Sequence, residues 1–129
     1  MRRSVFLLIS LSAIFLLPES VLGQSKFEAT QASTIEAIAR GEAREALSAL
    51  EAQASEAEKN AASSSSPQRY WVEGANAYRE AARAALNLAQ LEKAISHASR
   101  SLEMAEKAQR PALQTGAIYQ LQNSYRAVG

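Results

Sequence analysis

Two stretches decide the fold: Gly41-Glu-Ala-Arg-Glu-Ala46-Leu-Ser-Ala-Leu50 and Ala89-Gln-Leu-Glu-Lys-Ala94-Ile-Ser-His-Ala98. Each opens on a small residue, places an alanine five positions on and an apolar residue four beyond that, the pattern of a turn followed by a helix. Upstream of the second stretch, Ala75-Asn-Ala-Tyr78-Arg-Glu-Ala81-Ala82-Arg-Ala-Ala85 reads as an alanine-rich first helix. A third copy of that first helix is Ala117-Ile118-Tyr119-Gln-Leu121-Gln122-Asn-Ser-Tyr125-Arg-Ala-Val-Gly129. Small residues at Ala81, Ala82 and Ala85 let a partner bearing Ala94, Ala98 and Leu102 approach closely, with Leu86, Leu88, Leu91, Ile95 and Met104 filling the seam. The expectation is a series of antiparallel helix hairpins.

Composition agrees with this reading. Of 129 residues, 27 are Ala and only 8 are Phe, Trp or Tyr, so helices have their best former in excess and strands lack their preferred material. No segment alternates with period two, and an all-α chain of one domain is expected. The part after residue 23 reads as four helices, with Gly41 suggesting that the first, over Phe27 to about Lys59, is split in two. A Ser-rich linker follows at residues 61–68, where Ser66 is placed to cap and Pro67 to take the first helical turn. Further helices are expected from about Arg69 to Leu88, from Leu91 to about Gln109, and from about Ala112 to Val128, the last opened by Pro111.

Arg2 and Arg3 precede an apolar run from Val5 to Leu17, and Pro18 breaks it before the small-residue ending Val21, Leu22, Gly23. This is the pattern of a secretory signal peptide over residues 1–23. Thirteen residues at about 1.5 Å each span about 20 Å, short of a hydrocarbon core of about 30 Å, so no stable membrane insertion is expected once it is cleaved after Gly23. The location implied is exported, periplasmic or secreted. Beyond residue 23 the cations and carboxylates balance and are interleaved, which argues against nucleic acid as a partner.

The repeated pattern resembles the tetratricopeptide repeat, a 34-residue helix-turn-helix with Trp, Leu, Gly and Tyr at fixed spacing in its first helix and Ala, then an aromatic, in its second. Ile118 falls on the Trp position, Leu121 on the Leu, Gln122 on the Gly, Tyr125 on the Tyr and Gly129 on the turn glycine. In the middle copy Tyr78, Ala81, Ala82 and Ala85 take first-helix places, and Ala94, Ala98 and Ser101 second-helix places. The resemblance covers Phe27 to Gly129: a degenerate first hairpin over residues 24–60, then one full repeat and the first helix of the next over residues 69–129. Thr30, Ser33 and Thr34 depart from it, standing where apolar or small residues are expected. It implies a short right-handed solenoid of stacked hairpins. Since the pattern stops at the first helix of the third copy, Ile118, Leu121, Tyr125 and Val128 lack their usual covering helix. That reads either as a cap or as truncation of a longer array.

In such arrays the first helices line a concave groove. Carried onto this sequence, the groove-facing residues are Asn76, Arg79, Arg83 and Asn87, with Tyr119, Asn123 and Arg126 in the third copy. Spacings of three and four put the first four on one helical stripe. Guanidiniums and amides there suit a carboxylate or an acidic peptide.

Catalytic readings fare poorly. The sequence has no Asp, no Cys and one histidine, His97, so neither a Ser-His-Asp triad nor a cysteine nucleophile can be assembled. His97 and Met104 lie on one helix and cannot ligate opposite faces of a haem, and the glutamates lack Glu-x-x-His spacing. No metal or cofactor is implied. His97 reads as a half-buried helix residue, Glu92 with Arg100 as a solvated face, and Tyr70 and Trp71 as a plug between the first and second hairpins. The expected function is that of a non-catalytic module that binds a peptide or partner protein. The alternatives are the regulatory front of a larger exported enzyme, for example with a peptidase-like carboxy-terminal domain, and a periplasmic four-helix bundle that binds a small ligand.

Overall fold

The computed structural model describes residues 30–129, and among them there are five helices and no strand. We label them α1 (residues 30–39), α2 (Ala43–Ser63), α3 (Gln68–Asn87), α4 (Leu91–Ala108) and α5 (Pro111–Val128). The chain is therefore all-α over this range. The signal-peptide reading of residues 1–23 lies outside the described residues.

The turns explain why small residues recur where they do. Helix α1 ends on Gly41 at φ +78°, with Gly41 N–H donating to Ile38 O and Glu42 N–H to Ala37 O. These are the paired 5→2 and 6→1 bonds of a Schellman cap, which needs a left-handed residue after the last helical one. The same pair closes α3 at Ala89, φ +57°, through Ala89 N–H to Leu86 O and Gln90 N–H to Ala85 O. It closes α4 at Gln109, φ +56°, through Gln109 N–H to Glu106 O and Arg110 N–H to Ala105 O. Three helix ends thus share one turn geometry, although only one of them carries the residue that adopts it without steric cost.

The Ser-rich segment departs from its compositional reading. Helix α2 runs on through Asn60 to Ser63, and the Ser63 hydroxyl bonds back to the Lys59 carbonyl at 3.1 Å. The connection shrinks to residues 64–67, where Ser66 N–H donates to the Ser64 hydroxyl, and Ser66 makes no side-chain cap for α3. Pro67 opens α3 through its carbonyl, which accepts from the backbone N–H groups of Tyr70 and Trp71.

Helix α3 lies at the centre of the array, in contact with α2, α4 and α5, while α4 also packs on α5. Helix α2 makes no close backbone contact with α4 or α5, so α2 to α5 do not close into a ring. The seams are made of alanine. Ala81, Ala82, Ala84, Ala85, Ala94 and Ala98 are all fully buried, and Leu47, Leu50, Leu86 and Leu88 pack around Ala81, Ala84, Ala85 and Ala94. At Gly74 an added Cβ would lie 2.3 Å from Met104 Sδ and 3.6 Å from Ala57 Cβ, so this glycine lets α3 approach both neighbours. Buried Ser101, one of the second-helix places of the resemblance, donates to the Ala75 carbonyl at 2.6 Å and binds α4 to α3.

Trp71 does not plug the first hairpin against the second. It packs instead on Ala75, Met104 and Ala105, with Lys107 Nζ 4.6 Å from its ring centre, because the first turn of α3 is level with the end of α4. The Gln68 side chain marks the same level, donating to the Ala108 carbonyl.

Candidate functional site

The stripe Asn76, Arg79, Arg83 and Asn87 is split by burial. Asn87 is exposed at the end of α3, and Arg83 keeps part of its side chain in solvent. Asn76 and Arg79 are only 6% and 5% exposed. For Arg79 the cause is α5: a Cβ added at Gly116 would meet Arg79 Cδ at 3.1 Å and Nη1 at 3.3 Å, so the arginine stem lies against that helix. Arg79 is therefore corrected from a groove contact to part of the α3–α5 packing, and Asn76 is buried likewise.

Glu80, which the sequence reading passed over, organises this region. It is fully buried and accepts from Arg79 Nε at 2.8 Å and from Arg83 Nε at 2.9 Å. Arg83 reaches it along the helix at spacing three, whereas Arg79 is the adjacent residue, which on a helix points about 100° away. The side chains bridge that angle because a buried carboxylate must find its counter-ions locally. Burial draws the Arg79 guanidinium below its ordinary pKa, and Glu80 opposes the shift. Asn76 Oδ1 is buried and finds no hydrogen-bond partner among the described residues. The spacing of Glu80 and Arg83 was the one sequence cue to this cluster.

On α5 the residues carried over from the resemblance behave differently. Tyr119 and Arg126 are exposed and Asn123 is half-buried, while Ala117, Gln120 and Ser124 form the buried face. The accessible part of the expected groove thus reduces to Arg83 and Asn87 on α3 with Tyr119, Asn123 and Arg126 on α5. Two other clusters join α2 to α4 over α3. Glu51 Oε2 meets His97 Nε2 at 2.8 Å and Lys93 Nζ at 3.3 Å. Glu58 accepts from Arg100 at 2.5 and 3.0 Å and from the Tyr78 hydroxyl. Arg100 thus pairs across helices, with a second bond to Glu103 at 2.7 Å, and not with Glu92 along its own.

These contacts set the local electrostatics. The Arg100 hydrogen bonds hold the Glu58 carboxyl below the usual carboxylate range against the cost of burial. Burial pushes Glu51 up, but hydrogen bonds from His97 and Lys93 outweigh it and the carboxyl ends low. Burial and the neighbouring Glu58 push the Tyr78 hydroxyl up to about 12. His97 is half-buried, stacked at 5.6 Å on Tyr78.

Among the described residues no three His, Asp or Glu side chains gather as metal ligands would, and no helix is long and apolar enough to cross a membrane. In comparisons with known proteins, no family model, no curated protein and no solved structure matches this chain.

Proposed function

We propose that the chain is an exported, non-catalytic interaction module of tetratricopeptide type, which holds an extended peptide or partner segment along its first helices. The packing order carries this reading. Each of α2, α3 and α4 packs on its successor, α3 also packs on α5, and α2 and α5 stay apart. That is the nearest-neighbour pattern of stacked hairpins, in which a first helix touches its own second helix and the next first helix. The cap shared by Gly41 and Ala89 supports it, because these are the turns within the two successive hairpins α1–α2 and α3–α4. A four-helix bundle enclosing a ligand would bring α2 against α5.

The partner would lie beside Arg83 and Asn87 of α3 and Tyr119, Asn123 and Arg126 of α5. Arg126 and the exposed part of Arg83 favour carboxylates, the amides bond peptide backbone, and Tyr119 offers a flat apolar contact. Fluorescence anisotropy with labelled acidic, neutral and basic peptides tests it. Arg83→Glu with Arg126→Glu is expected to weaken the acidic peptide at least about tenfold, and Arg44→Glu on α2 to leave it unchanged. Equal binding of all three peptides, or retained binding in the double variant, rejects the groove. Amino-terminal sequencing of chain recovered from a periplasmic fraction tests export, with Gln24 expected first.

A further inference from the structure

Two surfaces on opposite sides of the array are left over by the groove reading. On α5, Ile118, Tyr125 and Val128 are 42%, 56% and 57% exposed, and with half-buried Leu121 they are spaced three, four and three apart. That spacing makes one apolar ridge along the helix. No carboxylate occurs on α5, and its single cation is exposed Arg126. On the other side, α1 and α2 diverge from the Gly41 turn around an open crevice whose floor and walls include Thr34, Ala37, Ala46 and Ala49. Its rim carries two carboxylates, Glu42 and Glu45, and no cation lines it.

We infer that the two surfaces mate between copies of this chain, the α5 ridge of one lying in the α1–α2 crevice of the next. Shape and charge each favour that occupant. Bulky side chains on the ridge face small ones in the crevice, the arrangement by which helices interlock. The acidic rim, lined by no cation, meets a helix that carries no carboxylate. Because α2 and α5 do not touch within one chain, the ridge is free to enter only another copy's crevice. Such a contact is head to tail, so it extends into open chains unless an end is blocked. It uses a different side of α5 from the one that carries Arg126 and Tyr119 into the groove, and its failure would leave the peptide-binding reading intact.

Sedimentation velocity of the full chain over a wide concentration range tests this, with two variants. Ile118→Glu with Tyr125→Glu spoils the ridge, and Ala49→Arg fills the crevice; all three positions are exposed, and circular dichroism checks that each variant stays helical. The wild-type mass is expected to climb with concentration, and each variant alone to stay at the 13.9 kDa of one chain. Mixed together, the variants are expected to form a capped pair of twice that mass, since each retains the half that the other lacks. A monomeric wild type overturns the inference, whether the crevice is empty or covered by residues 1–29. Association that survives Ala49→Arg also overturns it, because it would place α5 against α5, and so does a mixture that fails to pair.

Discussion

Replacing Glu80 by Gln removes one negative charge from a site that solvent does not reach, while keeping the size of the side chain and one acceptor oxygen. The Arg83 end is a quarter exposed and can regain water, but the Arg79 side chain is 6% exposed and cannot. Breaking one partner of a buried pair in this way costs about 3–5 kcal/mol, because the buried guanidinium loses the carboxylate bonded to it. A domain of this size has a net stability of about 5–15 kcal/mol, so the loss is a large fraction of the whole. At about 4–8 °C per kcal/mol, the melting temperature is expected to fall by about 12–40 °C. Urea unfolding followed by circular dichroism measures it. The companion variant Glu80→Gln with Arg79→Met removes the buried cation and fills its space with an apolar chain, and is expected to recover most of the loss. A Glu80→Gln protein within about 0.5 kcal/mol of wild type would refute the reasoning, since Glu80 would then not be what offsets the burial of Arg79. A double variant as unstable as the single ones summed would equally refute it, because the two residues would then not be coupled.

Two further outcomes follow from the turns and the inter-helix bridges. Ala89 adopts φ +57° in an exposed turn where Gly41 does the same work without a Cβ, so Ala89→Gly is expected to stabilise by up to about 1 kcal/mol in urea unfolding; a loss instead would show that the cap is not held. Glu51 and Glu58 are held below the ordinary glutamate value of 4.5 in the folded chain, so the unfolded chain binds more protons and the stabilisation present above that value fades as pH falls below it. Urea titrations between pH 7 and pH 3 are expected to show this decline, shallower in Glu58→Gln; an unchanged slope in that variant would remove Glu58 from the account.

Helix existence was legible in the sequence because it is a local property. Ala-rich windows, the break at Gly41 and the stop at Pro111 each act within a turn or two, and the observed helices begin and end within a residue or two of those marks except at Ser63. There the Ser63 hydroxyl bonds back to the Lys59 and Asn60 carbonyls of its own helix, a choice composition does not display. The alanine seam was also legible, since residues spaced three and four apart must share a face, and Ala81, Ala85, Ala94 and Ala98 are all buried.

The candidate site was less so. Asn76, Arg79, Arg83 and Asn87 do share a stripe, as their spacing requires, but which part of that stripe meets water depends on where α5 docks, some 40 positions later in the chain. Nothing within α3 encodes that α5 brings a glycine, Gly116, against Arg79. The same holds for Trp71, whose partners Met104 and Ala105 lie more than thirty positions away, and for Arg100, which passes over the nearby Glu92 to meet Glu58. The sequence by itself determined which segments are helical and which faces are apolar, because backbone hydrogen bonds and side-chain spacing are short-range. The tertiary structure alone decided which polar groups are buried and which apolar ridge is left open, because desolvation depends on every element packed around a group.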